Sequence, residues 1–527
     1  MKKSLTITLI AHHEYFGSGK QVRRSEYESL FSAITESYIP LLNVFSNLEA
    51  EGIPFKINMV ISPTLCTLLS DPVIQNQYIE WLDSRILLGE KELKQESNKS
   101  FQTQVEFCLD TFKKAKRDFV EIFNQDILSK FDYYAKKGNL ELLATTATAC
   151  FLPHFADLPE FVHAQIDAGL QAHKNFFGTI PEGFWLPHMG YTMGLERFIR
   201  PYTLKYTILD SHGVLLGNPS PEEGIFAPPK TMNTLAILGK DNESPLDIIG
   251  ENGYIHNPVY RNQEKDVGFD ASFRRLENIL TEDHRRYTTG YRYWAKGVAS
   301  EEQTIPYDFE KAKEQAKKDA LHFITTKTER LQQAAELLKD KDLSLNCVLS
   351  CETLGQKWFE GCIWLEEIFR ASAQQEELSI IHNTELVKTV TSTQRFAPYY
   401  SAATETGYGE IFLDNSNDWT LRYARKAIER MIDLAGRFTD DSGLKARALN
   451  LGAKEVLLAS SSAWNIMLHE KLDEAYAEEC FTESINDFST VFESLGSNTI
   501  STEWLTRVER EHALFPWMNY HIFSPKT

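Results

Sequence analysis

The sequence predicts an α/β protein: a parallel β/α barrel carrying a small inserted lobe, with a C-terminal α-helical domain. Three observations carry that expectation. Short apolar runs alternate with long amphipathic stretches, which implies βα units and a parallel sheet. Residues 214–265 break the alternation with Pro219, Pro221, Pro228, Pro229, Pro245 and Pro258. From about Asn417 the pattern turns helical almost to the end. A chain of 527 residues is long enough for one large barrel with an appended domain.

The first strand is expected over residues 5–11. Thr6 and Thr8 interrupt this apolar run, which leads straight into His12-His13-Glu14. It therefore reads as a buried strand and not as a secretory leader. Further strands are expected over 55–61, 140–144, 206–209 and 343–349, each short and mostly carrying β-branched residues. A helix is expected over 73–94, with Ile74, Tyr78, Trp81, Leu82 and Ile86 on one face. Another spans 307–338, where Lys and Glu alternate around Phe309, Ala316, Ala320 and Phe323. The segment 214–265 reads as a lobe over the barrel mouth. This divides the chain into a barrel of 1–213 and 266–416, the lobe of 214–265, and a helical domain of 417–527. In the last, Leu421, Ala424, Ala427, Ile428, Met431, Leu434 and Ala435 recur at helical spacing.

Composition narrows the function. Lys plus Arg number 55 and Asp plus Glu 74, a formal charge of −19, so no general basic field would attract nucleic acid. With 42% hydrophobic and 24% charged residues, the chain has the balance of a globular protein. No apolar run approaches the roughly 20 residues of a membrane span. The seven cysteines are odd in number and include no Cys-x-x-Cys pair, which suits a reduced, cytoplasmic protein. No Walker loop, dinucleotide-binding glycine pattern, His-Glu-x-x-His helix or Gly-x-Ser-x-Gly elbow is present, and no cofactor is expected. His12 and His13 would point to opposite faces of a strand, so no metal is expected either.

Polar clusters close several of the expected strands: His12-His13-Glu14, Ser62-Pro63, Asp210-Ser211-His212 and Ser350-Cys351-Glu352. In a parallel barrel such clusters converge on one face. Aromatic residues near the strand ends, Trp185 and Tyr191 among them, are of the kind that stacks on pyranose rings.

In these segments the chain resembles glycoside hydrolase family 57, and within it the 1,4-α-glucan branching enzymes. The ordered matches include Ser62 to Cys66, Gly138 to Pro153, Trp185-Leu186-Pro187, Asp210-Ser211-His212-Gly213, Thr289 to Trp294, Trp358-Phe359-Glu360-Gly361 and Leu514 to Tyr520. The resemblance implies a (β/α)7 barrel with an inserted domain and a C-terminal helical domain. It also implies α-glucan as ligand, and it makes a protein partner in glucan metabolism a candidate. The expected glucan-binding residues are His12, Glu14, Glu141, Trp185, Tyr191, Asp210, His212, Glu352, Trp358 and Trp464. Asp210 and His212 are the polar residues most expected to line the pocket.

The chain departs from the family at its polar positions. Retaining glycosidases need two carboxyl groups about 5 Å apart. The family nucleophile is a Glu directly after Trp-Leu-Pro, and here that position is His188. The family acid/base is an Asp two residues before the Glu of the last strand motif, and here it is Ser350, with Glu352 kept. A serine hydroxyl is a poor proton donor near neutral pH. Ala149, Gln356, Lys357, Ala463 and Glu14 replace further family residues. The expectation is a non-catalytic, branching-enzyme-like protein acting as a glucan-binding or regulatory partner. An active transferase or hydrolase with relocated carboxylates is the alternative, drawing on Glu14, Glu182, Asp210 and Glu352. A third reading is metal-assisted deacetylation by His12, His188 and Asp210. As a merely structural residue, His188 is expected to hydrogen-bond Tyr191 or Asp210.

Overall fold

The computed structural model describes residues 2–17, 24–277, 279, 285–297, 305–338, 341–390, 392, 394–439 and 442–525. Seven parallel strands form a nearly closed barrel: β1 (Lys3–Ala11), β2 (Ile57–Ile61), β3 (Leu140–Thr145), β4 (Gly183–Trp185), β5 (Tyr206–Leu209), β6 (Ala236–Gly239) and β7 (Leu343–Ser350). Their order is β6-β5-β4-β3-β2-β1-β7. A short β8 (Ser379–Ile380) pairs with the start of β1, at Ser4 and Leu5. The barrel closes between its ends through Asn346 of β7, whose Nδ2 donates to the Gly239 carbonyl at 2.9 Å and whose carbonyl accepts from Asp241 N at 2.8 Å.

The seven barrel strands bury both faces along most of their length, as parallel barrel strands do. In β1, Leu5, Ile7 and Leu9 pack outward into the main core, while Thr6, Thr8 and Ile10 point inward. The lower interior is polar and laced with hydrogen bonds at its centre. Thr6 Oγ1 donates to Asn346 Oδ1 at 2.9 Å, Asn58 Nδ2 to the Ile7 carbonyl at 2.9 Å, and Asn383 Nδ2 to Thr8 Oγ1 at 3.0 Å. Above it lies an apolar layer of Val60, Leu143, Ile208, Leu238 and Val348, on which the barrel mouth rests.

The expected helices lie close to their predicted places. Pro72–Glu92 starts where Asp71 caps Val73 N, and Phe309–Leu337 where Asp308 caps Lys311 N. Two strands differ from expectation. β4 has three residues, too few for a periodicity. β6 lies inside 214–265, which the sequence places wholly outside the barrel. The Gly-, Pro- and Asn-rich composition of 214–265 as a whole hid this four-residue strand, yet Ala236–Gly239 pairs along β5 in full register.

Five C-terminal helices, Asp418–Arg437, Gly443–Ala459, Ser462–Glu470, Glu474–Ser497 and Thr502–Glu511, pack on the barrel. Their buried residues join the same hydrophobic core as the strands' outer faces. Thr148 Oγ1 crosses to the Leu457 carbonyl at 2.6 Å, and Gln165 Nε2 to Ser460 Oγ at 3.0 Å. Among the described residues, no helix is long and apolar enough to cross a membrane.

Candidate active site

A cavity of about 590 Å³ opens at the C-terminal ends of the strands, a volume ordinary for small-molecule sites. His12 and Glu14 reach it from β1, Ser62 from β2, Thr145 from β3 and Trp185 with His188 from β4. Lys240 comes from β6, and Ser350, Glu352 and Lys357 from β7. The inward parity of β1 continues past Ile10 to His12, as that of β7 continues past Val348 to Ser350.

The hydrogen bonds of both cavity imidazoles fix their tautomers. Ser462 Oγ donates its single proton to the Ala149 carbonyl at 2.5 Å, so His188 Nε2–H must donate to Ser462 Oγ at 2.7 Å. Burial, helped by the nearby His12, lowers the His188 pKa to about 4, which leaves the ring neutral with its lone pair on Nδ1. His188 sits at φ 55° in the left-handed region, between Pro187 and a Met189 also at positive φ. That backbone turns the ring toward the C-terminal helices and against Phe412, 4.7 Å between centroids. The expected bond to Tyr191 or Asp210 is not made, because this turn aims the ring elsewhere.

His12 begins a second relay. Thr64 Oγ1 donates to the His13 carbonyl at 2.6 Å, so Ser62 donates to Thr64 at 3.1 Å and His12 Nδ1–H donates to Ser62 at 2.9 Å. Burial also lowers the His12 pKa. Its Nε2 is left as an acceptor.

Glu352 is held by two hydroxyls. Tyr38 donates to Oε1 at 2.6 Å and Ser350 to Oε2. Burial outweighs both donors and raises the carboxyl pKa. For Glu14, burial pushes upward, but the His13 and His12 imidazoles outweigh it and the net shift is downward. Tyr38 ends a π-helical turn, Ile34–Tyr38; such turns recur at functional sites.

Of the four candidate carboxylates, the cavity brings together Glu14 and Glu352. Glu182 pairs with Lys205 at 2.7 Å and Lys388 at 3.3 Å just before β4, at the opposite end of the barrel. Asp210 is buried behind Lys240, 3.2 Å from Nζ. Burial raises its pKa, but Lys240 and Asn242 outweigh that and hold it low. His212 places Nδ1 3.1 Å from Asp210 and Nε2 2.7 Å from the Gly407 carbonyl. Asp210 and His212 therefore brace Lys240 and the Gly407 loop and do not form the wall.

Other expected ligands belong elsewhere. Glu141 lies near the start of β3, accepting from Tyr206 OH at 2.5 Å and Thr384 N at 2.9 Å in the barrel floor. Tyr191 is 1% exposed, and its hydroxyl donates to Glu196. Trp358 is 1% exposed and packs on Trp364 and Tyr260. Trp464 is 2% exposed, with Nε1 donating to the Leu458 carbonyl at 2.8 Å. An indole fills a core as readily as it stacks on sugar, so its sequence position alone cannot separate the two. Trp185 does line the cavity, beside Met189.

Sequence reasoning missed Lys240, Tyr38 and Ser462. For Lys240 the signal was present: Leu235 to Leu238 is an apolar run ending in Gly239-Lys240-Asp241. Among the described residues, the group nearest the cavity whose three ligand atoms lie within 4.8 Å of one another is His13, Glu14 and Glu26. Of these, Glu14 alone faces the cavity. Asp210 does not join His12 and His188, so the deacetylation triad is not assembled.

A family profile for glycosyl hydrolase family 57 matches residues 11–403, and one for the C-terminal region of 1,4-α-glucan branching enzyme matches 423–523. Over 526 residues the chain is 26% identical to the 1,4-α-glucan branching enzyme TK1436 of Thermococcus kodakarensis, covering 93% of this chain and 73% of that protein. Among solved structures, the α-amylase AmyC of Thermotoga maritima superposes with a TM-score of 0.92 at 28% identity, over 100% of both chains. A GH57-type branching enzyme of Pyrococcus horikoshii superposes at 0.89 and 22% identity, over 100% of this chain and 98% of that one. That second likeness speaks for the fold alone.

Proposed function

The chain belongs to glycosyl hydrolase family 57, and from that premise we propose that it is a branching-enzyme-like protein of α-glucan metabolism that binds glucan without cleaving it by the retaining route. The observation that carries this reading is His188. At the place of the expected nucleophile stands a neutral imidazole whose N–H is spent on Ser462. In the same cavity, Ser350 supplies a hydroxyl that donates its hydrogen bond to Glu352. Double displacement needs a carboxylate to attack the anomeric carbon and a carboxylic acid to protonate the leaving oxygen. Neither inherited position offers one. The Trp185 wall and the hydroxyl-rich rim remain suited to a sugar ring. We place the protein in the cytoplasm as a glucan-binding or regulatory partner of active enzymes, a setting that its seven cysteines, none of them in a disulfide among the described residues, suit.

Titration with maltotriose and glycogen tests this reading. Binding that weakens about tenfold in Trp185→Ala supports it, in line with the loss of one stacked aromatic. Measurable branching or hydrolysis of amylose, followed by iodine colour, would overturn the non-catalytic part.

One observation favours a second reading. Burial raises Glu352 while the neighbouring imidazoles lower Glu14, and a pair of carboxyls pushed apart in this way is how acid and base roles are divided. On this reading the protein is an active branching enzyme, glucanotransferase or amylase with relocated carboxylates. It requires amylose turnover that is lost in both Glu14→Gln and Glu352→Gln.

A further inference from the structure

The cavity walls differ in charge. Lys240 leaves β6 and Lys357 follows β7, the two strands that meet where the barrel closes at Asn346. Ser350 stands on the same side. Lys357 is exposed, and its ammonium makes no ion pair or hydrogen bond among the described residues. Lys240 gives one of its three N–H donors to Asp210, which approaches from behind the wall. Its other two remain. Of the two cavity carboxylates, Glu352 has both oxygens occupied by Tyr38 and Ser350, and Glu14 lies 3.6 Å from His13 Nδ1. Across the cavity, β3, β4 and the turns after them present Thr145, Ala149, Trp185, Pro187 and Met189, a wall without a charged group.

A neutral sugar gains little from two ammonium groups on one wall. A phosphoryl group carries about −1.5 to −2 charges and three acceptor oxygens, which suits them. We propose that the cavity takes a sugar bearing a phosphoryl group, with the phosphoryl against Lys240 and Lys357 and the ring against the Trp185 wall. For the ring, the proposal rests on the glucan-binding reading above. The phosphoryl part stands on the lysine wall alone.

Calorimetric titration of the full chain with four probes tests it: maltotriose, a maltooligosaccharide phosphorylated on its terminal glucose, glucose 6-phosphate and inorganic phosphate. Phosphorylated sugar is expected to bind about tenfold tighter than maltotriose, as one charge-assisted contact supplies. The advantage should shrink with added salt. Lys357→Ala, at an exposed position where folding is not at stake, should lower the ratio of phosphorylated to neutral affinity about tenfold. Tighter binding of the phosphorylated oligosaccharide assigns a phosphorylated chain, and tighter binding of glucose 6-phosphate assigns a free sugar phosphate; both support the proposal. Phosphorylated sugar binding where maltotriose does not also supports it, while removing the neutral-glucan reading. Equal affinities for phosphorylated and neutral sugar overturn the proposal and leave that reading standing. A ratio unmoved by Lys357→Ala, inorganic phosphate binding as tightly as the sugar phosphates, or no binding of any probe overturns it as well.

Discussion

His188 shows how one side chain at the barrel mouth can tie the strands to the C-terminal helices. Its Nε2–H is donated to Ser462, and Ser462 in turn donates to the Ala149 carbonyl. Ser462→Ala would leave a half-buried imidazole N–H without an acceptor. The expected cost is about 1–3 kcal/mol, read as a lower denaturant midpoint. Three histidines shielded from water, His173 fully and His188 and His154 in part, also make the fold acid-sensitive. Burial lowers His188, His154 and His173 each to about 4, whereas an unfolded imidazole titrates near ~6.5. Below about pH 6.5 the unfolded chain takes up protons that the folded chain refuses until about pH 4. Stability is therefore full above that window and falls through it as pH drops. His173→Phe, which replaces a ring whose Nε2 is buried without a partner, should reduce the fall in melting temperature between about pH 7 and pH 5. Restoring both carboxylates, with His188→Glu and Ser350→Asp, is expected to yield measurable amylose turnover in the iodine assay. A silent double variant would place the defect more widely, at Ala149, Gln356 or Lys357.

The π-helical turn Ile34–Tyr38 and the strand-end loop of β7 are built for each other. Gly355 has φ 118°, and a Cβ there would lie 1.7 Å from the Glu36 carbonyl oxygen. Gly355→Ala must push the π-turn away, at an expected cost of roughly 2–4 kcal/mol from strain and lost contacts. It should also draw Tyr38 off Glu352. Because that hydroxyl lowers the Glu352 pKa, a carbon-detected NMR titration should show the carboxyl moving further up, as Tyr38→Phe should on its own. Little of this turn could be read from the sequence, since a π-turn differs from an α-turn by one extra residue in an unbroken apolar pattern. The longer elements were legible because their periodicity is strong: β1, β5, β7 and the helix Phe309–Leu337 lie within two residues of expectation. β6 was not, because its four residues sit in a segment whose overall content of glycine, proline and asparagine reads as an irregular excursion.

The barrel and the C-terminal helices share one hydrophobic core, and Ser462 and Ile466 reach the cavity region from the second of these parts. Residues 2–417 produced without the helices should therefore expose that face. The expected outcome is aggregation, or strong binding of a hydrophobic dye, with lost affinity for maltotriose. A well-folded, glucan-binding fragment would contradict this dependence. The sequence by itself determined the parallel barrel, the polar clusters at its strand ends and the two positions where carboxylates are missing. The barrel and its polar clusters follow from local pattern, which strand and helix periods carry directly, whereas the two positions follow only from the resemblance to family 57. Only the tertiary structure decided which end of the barrel each polar residue serves. Glu141 lies in the floor and Glu14 at the mouth, although both belong to or follow inward-facing strands. Likewise it decided that Trp358 and Trp464 are core while Trp185 lines the cavity. Burial satisfies an indole in either place, so the choice is made by what the rest of the chain packs against it.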